Sequence, residues 1–229
     1  MIFQPKKRHL DIDVPIYINR SKISKVEYCK FLGVLIYDKL SWSNHIAHVK
    51  LKLSKVVGIM YRSRKNLNHE HLCILYKSLF EPYISYCNII WSSATKTNLD
   101  PLIKLQKRAI RCICFLKRNA STTLHFKKLK LLKFADLRNY ITALFVFKFY
   151  HKCLPSIFDS FFLYNHDVHS RVTRQSNLLH PPRFRTSRSK HFIKYHGSVL
   201  WNQICSYINP NVNPSIYKRC LRSYLMNDY

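Results

Sequence analysis

The sequence predicts a mainly α-helical protein that begins with a small β-hairpin or sheet. Three observations predict this fold: a strand-like pattern between residues 14 and 37, apolar residues at helical spacing from Trp42 onward, and a hydrophobic content of 47%. A chain of 229 residues can form one large domain or two small ones. We divide it into a β region (1–40), a helical region (41–118) and a helical, Arg-rich region (119–229).

The β region contains an alternating stretch, "PIYINR", a polar connection, "SKIS", and an apolar run, "KFLGVLI". Together they predict a hairpin or small sheet. Gly33 interrupts the apolar run, and glycine inside a strand usually marks a bulge, a bend or a close approach. Because the hydrophobic period changes soon afterwards, we interpret Gly33 as a bend at the junction of two structural units.

The first predicted helix runs from Trp42 to about Leu67, with Ser41 as its N-cap. Its apolar stripe consists of Ile46, Val49, Leu53, Val57 and Met60.

Two further helices are predicted in the middle of the chain. One covers His69 to about Trp91, and Pro82 should kink or split it. The next contains "LIKLQKRAIRCICFL", with Asp100 as N-cap and Pro101 at the first helical position.

The last part of the chain is predicted to be helical around a polar loop. Helices are expected near Leu124–Leu132, from Asp136 to about His151, and over "HFIKYHGSVLWNQI" and "PSIYKRCLRSYLM". The stretch from Ser160 to about Lys190 is polar, Arg-rich and interrupted by proline, so it is predicted to be irregular.

The charge of the chain is its most unusual property. Lys and Arg total 39 against 11 Asp and Glu, a formal net charge of +28. Such an excess predicts a polyanionic partner: nucleic acid first, and an anionic membrane surface second. The most apolar window, "ITALFVFKFY", is too short to span a bilayer, and no secretory signal is evident. The eight cysteines have no metal-binding spacing and are predicted to be buried, reduced thiols, so we expect an intracellular protein, nuclear or cytoplasmic.

Three groups of cations are candidate phosphate contacts. One face of the "LIKLQKRAIRCI" helix carries Lys104, Lys107, Arg108 and Arg111. The first helix carries Lys50, Lys52, Lys55, Arg62, Arg64 and Lys65. The Arg-rich stretch carries Arg171, Arg174, Arg183, Arg185, Arg188, Lys190 and Lys194, interleaved with Phe184, Phe192 and Tyr195, whose rings can stack on unpaired bases. The alternatives are solvated helix faces for the first two groups, and a disordered basic loop or nuclear-import signal for the third.

No catalytic centre is evident. The eight Asp and three Glu are scattered, with no Asp-Asp pair. Asp11 and Asp13 in "DID" and the "HDVH" cluster at 166–169 fit a strand edge and a loop better than a metal site. We therefore expect no catalytic residue, no metal ligand and no small-molecule ligand in this chain.

Four blocks resemble the reverse transcriptases of non-LTR retrotransposons of the jockey-like LINE type. Residues 26–46 are similar to the family's "KFLGV-I-D--L-W--HI" pattern, and residues 75–91 to "LY-S-I-P-L-YC--IW". Residues 99–113 are similar to "L--L--LQKRAIR-I". Residues 173–204 are similar to "TR-----L--PR-RT---K-SI-Y-G--LWN-L". The blocks occur in the family's order.

The resemblance implies a role for the first two regions. Residues 1–40 correspond to the end of the palm, with a primer grip at Phe31, Leu32 and Gly33. Residues 41–118 correspond to a thumb that holds template–primer by its backbone. The family's metal-binding Asp motifs find no match here, so the resemblance implies a truncated enzyme whose parent would use Mg²⁺ and which does not polymerise alone. The alternatives are an element-derived nucleic-acid-binding or interaction protein kept for a cellular role, and a non-functional pseudogene product.

Overall fold

The structure is a computed structural model that describes residues 1, 3, 15–169, 173–227 and 229. Asp11, Asp13 and Arg171, together with the side chain of Arg188, lie outside the described residues, so the predictions made for them stay predictions.

The described part of the chain is mainly α-helical, with two small antiparallel sheets near its N-terminus, as the sequence predicts. The strands are β1 (Tyr17–Ile18), β2 (Ser21–Lys22), β3 (Tyr28–Phe31) and β4 (Val34–Tyr37). The helices are α1 (Ser43–Ser63), α2 (His69–Leu75), α3 (Glu81–Ser85), α4 (Asn88–Trp91), α5 (Lys96–Ile113), α6 (Thr123–Lys128), α7 (Phe134–Tyr150), α8 (Asn165–Val168), α9 (Ile193–Cys205) and α10 (Pro214–Met226).

The apolar run around Gly33 is a hairpin and not one strand. β3 and β4 pair antiparallel, with Phe31 opposite Val34. The two residues between them have positive φ, +46° at Leu32 and +81° at Gly33. A two-residue turn of this hand matches the twist of the flanking strands, which explains why glycine stands there. The interpretation of Gly33 as a bend between structural units was therefore wrong. The predicted connection "SKIS" is also partly strand, because Ser21–Lys22 forms β2 and pairs with β1.

Helix α1 buries the predicted stripe. Ile46, Val49, Leu53, Val57 and Met60 are all buried. The predicted N-cap was wrong by one residue: Trp42 occupies that position without a side-chain cap. The hydroxyl of Ser41 instead lies 2.9 Å from that of Ser43.

The predicted interruption of the second helix at Pro82 is confirmed. Between α2 and α3 the chain forms a π-helical turn, Tyr76–Phe80, and Pro82 lies in the first turn of α3. At this position the missing N–H of proline costs no helical hydrogen bond. Cys87, with φ of +49°, then separates α3 from α4.

Helix α5 begins earlier than predicted. Thr95 is the N-cap, so Asp100 and Pro101 lie inside the helix. The apolar face explains the difference, because Leu99 precedes Asp100 and is already buried in the core. Its burial extends the packed face by one turn. The free energy gained by this burial offsets the loss of the helical hydrogen bond that Pro101 cannot make.

The C-terminal predictions agree with the structure apart from their bounds. Helix α6 ends at Lys128, short of the predicted Leu132. The stretch from Ser160 to Lys190 is largely irregular where it is described, with α8 and a 3₁₀ turn at Ser187–His191. All eight cysteines are free, but burial was predicted too broadly: Cys112 is buried, Cys153 is exposed and the rest are half-buried.

One continuous core joins the helices. Its buried side chains run from Ile46 to Met226. Helix α1 packs along α5, and α7 packs against α4, α9 and α10. The boundaries at 40/41 and 118/119 stay predictions. No helix in the described part of the chain has the length and apolarity needed to cross a bilayer.

Candidate nucleic-acid interface

A cleft of about 670 Å³ opens between the end of α1, the exposed face of α5 and the chain that follows α5. We call it the basic groove. Its cations are Arg64, Lys104, Lys107, Arg108, Arg111 and Arg118. Tyr61, Leu116 and Asn119 complete the lining.

The two-faced pattern of α5 places four of these cations together. Leu102, Leu105 and Ala109 are buried against the core. Lys104, Lys107 and Arg108 lie on the opposite face and are exposed, with Arg111 half-buried beside them. Residues three and four apart share one face of a helix, so the sequence spacing suffices to align them.

Contacts with the surrounding chain hold parts of the groove in place. The Nε of Arg111 donates a hydrogen bond to the Ala120 carbonyl at 2.9 Å. The guanidinium of Arg64 lies 4.8 Å from the centroid of the Phe115 ring. A cation already held in position loses less conformational entropy when it binds a phosphate.

The groove has no acidic lining. Within the described ranges, Arg222 and Glu81 lie within ion-pair distance, the His166 ring nitrogen lies 3.3 Å from Asp167, and neither pair involves the groove. Six cations around one cleft repel each other, and a polyanion would relieve that repulsion.

Sequence reasoning found the α5 cations but not the full groove. It grouped Arg64 with the first helix, and it did not single out Arg118. Arg118 follows Arg111 by seven residues, but the helix ends at Ile113, so no helical period links the two. Arg111 donates a hydrogen bond to the carbonyl of Ala120, two residues after Arg118.

The other candidate cations of α1 do not line the groove. Lys50, Lys52, Lys55 and Arg62 are exposed, but none of them is part of the groove lining. Their contact with nucleic acid stays a prediction.

The Arg-rich stretch presents cations on mostly irregular backbone. Arg174, Arg183, Arg185 and Lys190 are exposed. The rings of Phe184 and Tyr195 lie 6.3 Å apart between centroids. A nucleic-acid contact at these residues also stays a prediction.

The predicted primer-grip residues lie at the tip of the β3–β4 hairpin. Phe31 and Leu32 are 60% and 72% exposed. The hydroxyl of Tyr86 donates a hydrogen bond to the Leu32 carbonyl, and a Cβ on Gly33 would lie 3.5 Å from the Tyr86 ring. These contacts hold the hairpin tip against Tyr86, at the C-terminal end of α3. That the tip positions a primer stays a prediction.

The "HDVH" cluster has a local structural role. Asp167 accepts a hydrogen bond from the backbone N–H of Tyr164 at 2.8 Å, which caps α8. His166 pairs with the same carboxylate at 3.3 Å. In the part of the chain that the structure covers, no three His, Cys, Asp or Glu side chains are grouped to hold a metal ion.

Comparison with known proteins finds two curated relatives. The chain is 25% identical over 171 residues to a probable RNA-directed DNA polymerase from transposon X-element of Drosophila melanogaster. It is 27% identical over 131 residues to a retrovirus-related Pol polyprotein from type-1 retrotransposable element R1 of Bradysia coprophila. The matches cover 72% and 55% of this chain.

The relatives are much longer proteins. The matched segments span 16% of the Drosophila protein and 13% of the Bradysia protein. No protein-family model matches the chain. No solved structure matches it either. The resemblance to retrotransposon RNA-directed DNA polymerases is thus confirmed as a partial similarity that covers 55–72% of this chain.

Proposed function

We propose that this chain binds template–primer nucleic acid as part of a retrotransposon reverse transcriptase, through phosphate contacts in the basic groove. The observation that carries the proposal is the convergence of six cations on one cleft without an acidic residue in its lining. Phosphate contacts of this kind are independent of base sequence and suit a polymerase that must hold any template.

The architecture supports a thumb-like role for α1 and α5. The two helices pack along each other and bury a shared apolar face, so the cations stand on a rigid surface. The hairpin tip at Phe31 and Gly33 would act as the primer grip in the same arrangement.

The 229 residues are not expected to polymerise by themselves. Two-metal phosphoryl transfer needs closely placed carboxylates, which would hold Mg²⁺ in such a polymerase. The sequence has no Asp-Asp pair. We expect the purified chain to incorporate no dNTP on a primed RNA template in the presence of Mg²⁺. Incorporation by the pure protein would contradict this expectation.

Salt-dependent binding tests the nucleic-acid proposal. Fluorescence anisotropy should show that a labelled RNA–DNA hybrid or blunt DNA duplex binds with little sequence preference. If all six groove cations contact phosphates, log K should fall against log salt with a slope of about −5. An affinity that does not change between low and moderate salt would refute the proposal.

A matched pair of variants assigns the binding to the groove. The triple change Lys104→Gln, Lys107→Gln and Arg108→Gln should flatten the slope by about 2 to 3, because each lost phosphate contact removes about one unit. The control changes Lys127, Lys128 and Lys130 to Gln, which removes the same charge from exposed positions that lie outside the groove and in none of the candidate groups. Equal effects of the two variants would assign the binding to net charge and not to the groove.

A further inference from the structure

A second surface cleft, of about 740 Å³, lies on a different set of elements. It is formed where the chain leaves the hairpin, by α4, by α7 and its following turn, and by the start of α9. We call it the aromatic groove. Its aromatic lining consists of Trp42, Phe145, Phe158, Phe161 and Phe192.

The aromatic rings form a fixed platform. Phe145 packs edge-to-face against Phe158 at 5.5 Å and against Phe161 at 6.0 Å between centroids. Phe158 and Phe161 pack on each other at 5.6 Å. Phe192 also lines the groove and is 46% exposed. Large apolar clefts that remain open to solvent usually mark binding sites.

The surroundings of the aromatic groove are positive. Lys39 is part of the lining, which includes no Asp or Glu. The Nζ of Lys194 lies 4.9 Å from the centroid of the Phe161 ring. The Arg-rich stretch leads directly into Phe192, with Arg185 and Lys190 exposed just before it.

We propose that the aromatic groove binds unpaired nucleotides of a single strand, whose bases stack on its rings and whose phosphates contact Lys39 and Lys194. Aromatic side chains beside a track of cations are the combination that single-stranded nucleic acid requires, because every base has a stackable face. The inference rests on the proposed nucleic-acid binding and deepens it, since a template ahead of its primer is unpaired.

An acidic amphipathic peptide is the competing occupant. We favour the nucleic acid because five of the lining side chains are aromatic and the cations continue along the Arg-rich stretch.

Tryptophan fluorescence offers a selective readout. The chain has three tryptophans, of which Trp91 and Trp201 are 0% and 4% exposed and lie in the core. Trp42 is half-buried and lines the groove. Titration of the wild-type chain with a short oligo(dT) should quench its fluorescence, and the change Trp42→Phe should abolish the quenching, because the two remaining tryptophans lie in the core.

Two further measurements separate the groove from the rest of the protein. The change Phe192→Ala should weaken oligo(dT) about tenfold and leave blunt-duplex binding intact. Tyr207→Ala, at a 73% exposed position outside the groove, is the matched control and should change neither. Photocrosslinking of wild-type protein to oligonucleotides that contain 5-iodouracil needs no variant, and should label Trp42, Phe161 or Phe192.

The outcomes distinguish this inference from the proposed function. Duplex binding without quenching or crosslinks in the aromatic groove overturns the inference and leaves the basic groove assignment standing. Oligo(dT) binding that is lost in the Lys104, Lys107 and Arg108 variant and unaffected by Phe192→Ala also overturns it. Quenching by an acidic amphipathic peptide but not by oligo(dT) assigns the groove to a protein partner instead. Absence of both duplex and oligo(dT) binding overturns both proposals.

Discussion

The basic groove and the Arg-rich stretch at 173–191 contain similar residues but present them differently. In the groove, cations from two packed helices and a following loop surround one cleft. In the Arg-rich stretch, Arg174, Arg183 and Arg185 are exposed on largely irregular backbone. The comparison shows that a count of charges does not define a binding surface. Rigid packing behind the cations decides whether they can contact one ligand together.

The packing behind the groove depends on one buried amide. Gln106 lies on the core side of α5 and is 1% exposed. Its Nε2 donates to the hydroxyl of Tyr76 at 2.9 Å and to the Leu132 carbonyl at 3.0 Å, and its Oε1 accepts from the backbone N–H of Phe134 at 2.9 Å. It therefore joins the basic helix to the π-helical turn and to the start of α7.

Removal of the Gln106 hydrogen bonds should have the largest effect on stability. Gln106→Met keeps a similar volume but leaves three buried polar groups without their partner, so the free energy of unfolding should fall by about 3 kcal/mol or more. Urea unfolding at neutral pH measures it. The control is Gln203→Met on the exposed side of α9, which should change stability little. Similar losses in the two variants would show that the buried amide does not support the groove.

Acid should destabilise the packing of the Arg-rich stretch against α7 before it affects the basic groove. Burial, together with the nearby charges of Arg138 and His191, lowers the pKa of His196 to about 4. His196 Nε2 lies 3.0 Å from Asn139 Oδ1, and Arg138 donates to the His191 carbonyl at 2.8 Å, so these contacts hold the end of the Arg-rich stretch against α7.

The sign of the pH effect follows from proton binding. Between about pH 6.5 and pH 4 the unfolded chain binds a proton at His196 that the folded chain does not, so stability is full above pH 6.5 and falls as the pH drops. From pH 7 to pH 5 the contribution of His196 to the free energy of unfolding should decrease by about 2 kcal/mol. His196→Gln should remove this part of the pH dependence and leave the rest, because burial also lowers the pKa of His45 and His191. An unchanged pH dependence in the variant would contradict the assignment. The basic groove has no histidine in its lining.

The smallest effect is expected from charges on the Arg-rich stretch. The change Arg174→Gln, Arg183→Gln and Arg185→Gln removes the same charge as the groove triple. On irregular backbone these side chains lose more entropy when they bind, so duplex affinity should fall by only about three- to fivefold. Anisotropy at one fixed salt concentration compares the two variants directly. A larger loss than in the groove triple would reverse the comparison and move the duplex site to the C-terminal region.

Local patterns predicted most of the helices and grouped four of the six groove cations. The stripe of α1, the break at Pro82 and the basic face of α5 depend on residues at most a few turns apart, and spacing alone specifies them. The predictions failed where a non-local contact competes with a local preference. Asp100 and Pro101 are strong start signals, yet the burial of Leu99 moves the start of α5 to Lys96. Gly33 does mark a backbone conformation that favours glycine. Only the pairing of Phe31 with Val34 shows that this conformation belongs to a hairpin turn.

The sequence by itself determined the net charge, the helical content and the four cations on one face of α5, because composition and period belong to the chain and not to its packing. The tertiary structure decided which cations meet. It brought Arg64 and Arg118 to the α5 face while Lys50, Lys52, Lys55 and Arg62 stayed apart. It also left Trp42 accessible beside the Phe145 cluster and buried the other tryptophans. Both results depend on contacts between residues distant in sequence, which packing of one shared core selects and no local period encodes.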